Sequence, residues 1–405
     1  MPRRYIPRAL QAVLEKAARQ FPAVILTGPR QSGKTTLLKH VFGSGSGYVS
    51  LELPDVRASA AADPRGFLEM NPPPVIFDEV QYAPDLMPYI KERIDARRSV
   101  HGQYFLTGSQ NLLLTEGITE SLAGRAAMLR LPPLSEREVR GEPSRPLPWE
   151  SPVHRDRGAK LPDLWKSFLR GYYPELVADP DRDLSLWHSS YIQTYLERDV
   201  RSLRQVGDLT SFQSFLRALA ARTRQLLNLT DIARDLGVAV NTAKAWLSVL
   251  EATFQIFILR PYYANLGKRL VKTPKVYFTD TGTLCYLSGL KDPAHAAAGP
   301  LGGAIFETAV LMEIVKTFAG RGESAQVYFW RTSAGTEVDF VIETGGQLIP
   351  IEVKLSSTPL PAMAVGIQAF RADFGKKAGR GFVIHPGDLR TALAPDIVAW
   401  PFKEM

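Results

Sequence analysis

The sequence contains a single cysteine, Cys285, among its 405 residues. One cysteine excludes an internal disulfide framework and a zinc site built from cysteines. No apolar run approaches the roughly 20 residues that a membrane helix needs. The basic start at residues 1–4 is not followed by the apolar segment of a secretory signal. We therefore expect a cytoplasmic protein, in a reducing compartment, that does not enter a membrane.

Neither charge nor hydrophobicity is extreme. Charged residues make up 22% of the chain and hydrophobic residues 45%, as in ordinary globular proteins. A chain of this length is expected to form two or three domains. The net charge of +8 permits binding to nucleic acid but does not require it.

A glycine-containing loop lies between an apolar run at residues 24–27 and a second apolar pattern that begins at Leu37. The order strand, G-x-x-x-x-G-K-T, helix is typical of a phosphate-binding loop. Its backbone N–H groups and the helix N-terminus favour phosphate oxygens. Lys34 is expected to reach the β- and γ-phosphates, and the Thr35 hydroxyl to bind Mg²⁺. The predicted nucleotide-binding residues are Gly28, Pro29, Arg30, Gln31, Ser32, Gly33, Lys34, Thr35 and Thr36.

Two acids end the apolar strand predicted at residues 75–77. Asp78 is expected to hold Mg²⁺, and Glu79 to act as the base that polarises the attacking water. A further predicted strand, at residues 103–106, ends in polar residues. There Ser109 and Thr107 are candidates to contact the γ-phosphate or the water, and the alternative is a polar turn.

Arg125 follows a short amphipathic segment and allows two interpretations. It is either a cation at a helix end, where it suits the helix dipole, or an arginine finger that acts on the nucleotide of a neighbouring subunit.

These motifs resemble a family of prokaryotic AAA-superfamily ATPases with a C-terminal domain of the DUF4143 type. The resemblance extends nearly from end to end and implies ATP binding and hydrolysis. One departure is Tyr172, where the family usually has the second glycine of Gly-Gly-Tyr-Pro-Glu. The segments that carry the resemblance are residues 28–36, 77–81, 106–109, 121–125, 171–175, 195–200 and 278–282.

Residues 1–140 are predicted to form the ATPase core, residues 141–162 a linker and residues 163–290 a helical and winged-helix region. Residues 229–250 read as helix-turn-helix, and residues 254–260 and 275–278 as the strands of a wing. We expect this region to grip a DNA backbone through cations. The alternative is a winged helix that contacts protein or covers the ATPase. The candidate DNA contacts are Lys244, Lys268, Arg269, Lys272 and Lys275.

Residues 291–405 carry a second candidate site. Asp339 and Glu352 fall on adjacent predicted strands, and Lys354 shares the face of Glu352 because side chains alternate along a strand. Glu307, on the preceding helix, is a candidate third acid. The spacing resembles the PD-(D/E)xK nucleases, in particular archaeal Holliday-junction resolvases, although Val338 replaces the usual proline. The resemblance implies metal-dependent cleavage of a phosphodiester. The alternatives are a solvated hairpin, or a nuclease-like fold that only binds DNA.

The expected fold class is α/β. It comprises an AAA-type parallel-sheet P-loop ATPase, a helical and winged-helix middle and a small restriction-endonuclease-like domain. The leading hypothesis is an oligomeric ATPase, with ATP and Mg²⁺, that acts on DNA as a motor or switch. The alternatives are an ATP-gated structure-specific nuclease and a nucleotide-controlled switch with a protein partner.

Overall fold

The computed structural model describes residues 5–109, 122–150, 163–195, 208–262 and 272–405. Within these ranges the strands form two sheets, one with five strands in the order β2-β3-β4-β1-β5 and one with eight in the order β12-β13-β11-β10-β9-β8-β6-β7. The strands are β1 (Ala23–Thr27), β2 (Gly47–Ser50), β3 (Val75–Asp78), β4 (Tyr104–Gly108), β5 (Ala126–Arg130), β6 (Ile256–Pro261), β7 (Lys275–Phe278), β8 (Val327–Arg331), β9 (Glu337–Thr344), β10 (Gln347–Val353), β11 (Gly381–His385), β12 (Thr391–Ala394) and β13 (Ile397–Pro401).

Helices cover the first sheet, form the middle of the chain and flank the second sheet. None of the described helices combines the length and apolar character needed to cross a bilayer. The helices are α1 (Gln11–Gln20), α2 (Lys34–Phe42), α3 (Pro54–Ala62), α4 (Pro64–Met70), α5 (Met87–Ala96), α6 (Glu136–Arg140), α7 (Leu164–Arg170), α8 (Pro174–Ala178), α9 (Leu184–Tyr195), α10 (Leu209–Ala221), α11 (Leu229–Asp235), α12 (Val240–Ala252), α13 (Thr281–Leu287), α14 (Pro293–Ala298), α15 (Gly302–Gly320) and α16 (Val365–Phe374).

The five-stranded sheet is parallel throughout. Its central strands are apolar and fully buried, as expected for a sheet covered on both faces, and one apolar cluster lies on each face. Strand β4 pairs with both β1 and β3. The carboxyl ends of these three strands therefore meet at one edge, where ligands bind in open α/β sheets.

The helix-turn-helix pattern at residues 229–250 corresponds to α11 and α12. The N-cap of α11 is Asn228, whose side chain accepts a hydrogen bond from the Asp231 backbone N–H at 3.2 Å. Helix α12 begins at Val240, after extended backbone at Ala239. The pattern therefore located both helices.

The two strands predicted as a wing pair with each other and also join the C-terminal sheet. Strand β6 is antiparallel to β7 and parallel to β8 at Arg260 and Pro261. One apolar cluster runs from Leu134 to Met405. The expected domain boundaries remain predictions, but this sheet and core both span the one at residue 290. Helix α14 follows directly after this boundary.

Helix α15 is buried along almost its whole length and connects the first sheet to the second. The Glu313 carboxylate accepts the Glu136 backbone N–H at 2.8 Å and lies 3.2 Å from the Arg137 guanidinium. Lys316 donates to the Leu134 carbonyl at 2.9 Å. Burial raises the pKa of Glu313, and the charge of Arg137 opposes that rise. These contacts fix the segment that leaves β5 against α15.

We predict that Glu313→Ala destabilises the protein by about 3–5 kcal/mol, because it leaves the buried Arg137 guanidinium without its counter-ion. The denaturation midpoint in urea measures the loss. Glu92→Ala is the matched control, since Glu92 and its partner Arg65 are exposed and such pairs contribute little. Equal midpoints for the two variants would contradict the role assigned to Glu313.

Candidate functional site: a phosphate loop with an acidic strand end

The loop after β1 has the backbone shape that its glycines permit. Gly28 has φ of 150° and Gly33, which precedes α2, has φ of 94°. Residues other than glycine rarely adopt such positive φ values. A Cβ on Gly28 would lie only 2.1 Å from the Leu131 carbonyl oxygen. The motif therefore needs glycine at position 28 both for its φ and because the chain after β5 packs directly against it.

Lys34, the first residue of α2, folds back over the loop. Its ammonium donates to the carbonyl oxygens of Gly28 at 2.9 Å and Pro29 at 3.0 Å, and the residue is 5% exposed. The hydroxyl of Ser32 is buried and has no hydrogen-bond partner in the described part of the chain. The loop therefore contains a buried cation and a buried hydroxyl that has no hydrogen-bond partner among the described residues.

Asp78 is the centre of a hydrogen-bond cluster at the end of β3. The Thr35 hydroxyl lies 2.9 Å from both of its carboxylate oxygens, and the Tyr48 hydroxyl donates at 2.9 Å. The Thr107 hydroxyl also donates to Asp78. The structure therefore brings together the two residues expected to bind Mg²⁺, Thr35 and Asp78. Their hydroxyl and carboxylate oxygens are the hard donors that this ion prefers, so the site fits the ion.

Tyr48 was not anticipated as a partner of Asp78. Burial and the negative charge of Asp78 raise the pKa of Tyr48 to about 12, so its hydroxyl stays a donor at neutral pH. Tyr48 lies on β2, which neighbours β3, and only the order of the strands places it there.

Glu79 begins a tight turn with φ of 57°, which is uncommon outside glycine and typical of strained functional positions. Its backbone N–H donates to the Thr107 hydroxyl at 2.9 Å, and its carboxylate accepts from the Ser109 N–H at 3.3 Å. Burial raises the pKa of Glu79, but Lys34 and the amide of Gln81 outweigh it, so the pKa is lowered overall. Glu79 is therefore ionised at neutral pH, as a base must be, and Ser109 contacts it.

Arg8 supports the loop from behind, and the motifs did not reveal it. Its guanidinium donates to the carbonyls of Ser32 at 2.8 Å and Pro132 at 2.7 Å, and to the Glu138 carboxylate at 3.0 Å. Glu138 and Ser135 form a capping box at the start of α6. The Ser-x-x-Glu spacing is visible in the sequence, whereas the partnership with Arg8 joins residues 130 positions apart.

A cavity of about 390 Å³ opens beside Lys34 and Thr35. Its other wall comes from the N-terminal segment and from α8, which begins at Pro174, and includes Tyr5, Ile6, Pro174 and Ala178. This volume is within the range of small-molecule sites. The segment at residues 171–175, noted for its resemblance alone, therefore contributes to the candidate nucleotide pocket.

Tyr172, the departure from the family pattern, donates hydrogen bonds to two carboxylates. Its backbone N–H donates to the Asp280 carboxylate at 2.7 Å, and its hydroxyl donates to Glu136 at 2.8 Å. Glycine could make only the first of these bonds. Asp280 also accepts the Thr283 N–H at 2.9 Å, so segments 171–175 and 278–282 are held together at this residue.

Arg125 pairs within its own chain. Its guanidinium forms two hydrogen bonds to the Asp95 carboxylate on α5, at 2.6 and 2.9 Å. This pair with Asp95 was not predicted from the sequence, and the helix-end cation and the arginine finger both remain predictions.

The C-terminal acids lie on neighbouring elements, Glu307 on α15, Asp339 on β9 and Glu352 on β10, and the charge of Asp339 acts on both glutamates. The Asp339 carboxylate accepts the Val353 N–H at 2.8 Å, and the Lys354 ammonium lies 2.6 Å from Glu352. Glu307 accepts from the Tyr277 hydroxyl at 2.6 Å and pairs with Arg224. Two acids of the cluster thus pair with cations of the same chain.

These acids have unusual titration properties. Burial, followed by the charge of Asp339, raises the pKa of Glu307 and of Glu352 to about 8. One oxygen of Glu352 is buried without a partner in the described structure. No group of three or more potential metal ligands is arranged to hold an ion within the described ranges.

One proposed DNA contact is wrong. Lys275 is 2% exposed and pairs with Glu337 on β9, because β7 is the edge strand packed against the acid cluster. Lys244 and Lys272 are exposed. Lys268 and Arg269 lie outside the described residues.

Three families of domains match consecutive parts of the chain. They are the AAA domain at residues 20–140, the domain of unknown function DUF8612 at 161–294 and the domain of unknown function DUF4143 at 302–405. Fold and site together define a P-loop domain of the AAA superfamily.

Two mycobacterial proteins are 32% identical over 400 residues, which cover 98% of this chain and 84% of theirs. They are "Uncharacterized protein Rv2008c" of Mycobacterium tuberculosis and "Uncharacterized protein Mb2031c" of Mycobacterium bovis. The chain belongs to this family of AAA-domain proteins with a C-terminal DUF4143 domain, as its motifs predicted.

Solved structures with partial similarity include a Walker-type ATPase of Pyrococcus abyssi. It is 16% identical, with a TM-score of 0.44, and the match covers 68% of this chain and 94% of that one. A point variant of RuvB from Thermotoga maritima is 15% identical with a TM-score of 0.28, over 62% of this chain and 86% of its own.

We predict that Gly28→Ala weakens nucleotide binding roughly tenfold to a hundredfold, because the loop must move away from Leu131. Backbone strain of about 1–3 kcal/mol corresponds to that range of affinity. Titration with a fluorescent ATP analogue measures it. The control is Gly45→Ala, since a Cβ on Gly45 meets nothing within 4 Å. Unchanged affinity in Gly28→Ala would contradict the assignment of the loop.

Proposed function

We propose that the protein hydrolyses ATP with Mg²⁺ at the edge of the five-stranded sheet. The observation that carries this proposal is the meeting of Thr35, Asp78 and Glu79 beside the ammonium of Lys34. The start of α2, which follows β1, and the end of β3 supply these groups. Such an arrangement is what phosphoryl transfer needs, namely positioning and charge stabilisation.

Each side chain has one part in this reaction. Lys34 and the loop N–H groups bind the phosphates, Thr35 and Asp78 hold Mg²⁺, and Glu79 accepts a proton from the attacking water. Mg²⁺, when bound, neutralises charge on the phosphate oxygens. The apolar wall at Tyr5 and Ile6 leaves space for the base of the nucleotide.

We further propose that the ATPase acts on DNA as an oligomeric motor or switch. Support comes from the net charge of +8 and from exposed Lys244 on α12 and Lys272 before β7. Exposed cations suit contacts with the phosphate backbone of DNA that do not depend on the base sequence. Arg125, if its pair with Asp95 opens, is the residue that would reach a neighbour's nucleotide.

A second candidate function is ATP-gated cleavage of DNA. It is favoured by the convergence of Asp339, Glu352 and Glu307 and by the orphaned oxygen of Glu352. In the described arrangement Arg224 neutralises Glu307. Binding of a divalent cation by all three acids therefore requires that Arg224 withdraw.

We predict that Lys34→Ala lowers ATP turnover at least about 100-fold, since it removes the cation at the phosphates. Glu79→Gln should reduce turnover by about 10²–10⁴-fold while leaving ATP binding intact, because glutamine keeps the shape and loses the base. Phosphate release and nucleotide titration separate the two effects. Normal turnover in Lys34→Ala would refute the site.

We predict that ATP turnover at fixed salt rises several-fold with one DNA form among single strand, duplex, fork and four-way junction. The double variant Lys244→Glu, Lys272→Glu should need more DNA for the same rise, because it loses phosphate contacts. No response to any form would favour the switch with a protein partner.

The same samples report cleavage. If the second candidate holds, Mg²⁺-dependent cutting disappears in Asp339→Ala while its ATP turnover stays. Absence of cutting in the wild type, with ATP and Mg²⁺ present, would leave the C-terminal sheet as a binding platform.

A further inference from the structure

Gln81 lies two residues after Glu79 and folds back toward it. The turn of residues 80–82 begins directly after Glu79, whose left-handed backbone reverses the chain. The Gln81 side-chain amide donates both to the Glu79 carboxylate and to the Ser109 hydroxyl, the latter at 3.2 Å. One amide thus connects the end of β3 with the end of β4.

The two donors on Glu79 reach the same oxygen. Gln81 and the Ser109 N–H both donate to Oε2. A carboxylate held at one oxygen from two directions has little freedom to rotate. Its orientation relative to Lys34 and the phosphate loop is therefore set by Gln81 and Ser109.

The carbonyl oxygen of the Gln81 side chain has no hydrogen-bond partner among the described residues. Its Oε1 atom is buried and accepts no hydrogen bond within the described residues. Exchanging the amide's oxygen and nitrogen would place an acceptor against the Glu79 carboxylate, so the hydrogen-bond network defines which atom is which. A buried acceptor beside the candidate base is a place for a donor that arrives with the substrate.

We propose that Gln81 is a positioning residue for ATP hydrolysis: its amide N–H group orients Glu79, and its carbonyl oxygen accepts a hydrogen bond from the attacking water. This inference rests on the proposed ATPase activity. In the reaction the water oxygen bonds to the γ-phosphorus and the bond to the β–γ bridging oxygen breaks. ADP leaves and the water's proton passes to Glu79.

The test is steady-state ATP turnover by the full chain with Gln81→Leu, which keeps the size of the side chain and removes both polar atoms. We expect kcat to fall about ten- to a hundredfold, as for other residues that orient a reacting group. KM and nucleotide affinity should stay within about twofold. Gln81→Glu, which sets a second acid against Glu79, should also lower kcat.

The matched control is Gln11→Leu, which removes another amide–carboxylate bond, from Gln11 to Glu15 on α1 at 3.1 Å. We expect its kcat and KM to equal those of the wild type. Thermal melting of all variants checks folding.

The outcomes separate this inference from the function on which it rests. Wild-type kcat in Gln81→Leu, with Lys34→Ala inactive, would overturn the role of Gln81 and leave the ATPase site standing. If Gln81→Leu lost as much nucleotide affinity as kcat, this result would show that Gln81 supports the phosphate loop instead. Full turnover in Lys34→Ala would remove the proposed function itself.

Discussion

The structure depends on the charged side chains buried along α15. A buried charge requires a partner, and the partners of this helix come from two distant parts of the chain, residues 134–137 and β7. Glu313 holds the start of α6, Lys316 holds the carbonyl of Leu134, and Glu307 contacts Tyr277 on β7. Because each partner is specific, the helix fixes the ATPase sheet and the C-terminal sheet in one relative orientation.

The same set of contacts continues to the phosphate loop. Glu138 lies on α6 close to the residues that Glu313 holds, and it pairs with Arg8. Arg8 in turn donates to Ser32 in the loop and Pro132 after β5. A short physical path therefore leads from the loop to α15, which also carries an acid of the second cluster. This path describes contact, and energetic coupling along it requires measurement.

Local sequence patterns predicted the elements and motifs well, because each of them is formed by a short continuous stretch of sequence. Examples are the P-loop, the acidic end of β3 and the strands β9 and β10. Partnerships between distant residues were not predictable in this way. Tyr48 reaches Asp78 only because β2 pairs with β3. Lys275 is buried because β7 packs against the acid cluster, where Glu337 and Glu307 are its partners. The spacing of residues along the chain carries no information on the order of strands in a sheet. Lys275, which lies in a basic stretch of the sequence, was therefore predicted to be exposed.

The most direct test of the account is a crystal structure of the full chain with Mg²⁺ and a non-hydrolysable ATP analogue. We predict that the triphosphate lies against the loop at residues 28–36, that the ion lies at Thr35 and Asp78, and that a water lies between Gln81 and the γ-phosphate. The adenine base should lie in the cavity lined by Pro174. A nucleotide bound elsewhere, or a γ-phosphate remote from Glu79, would contradict the central claim.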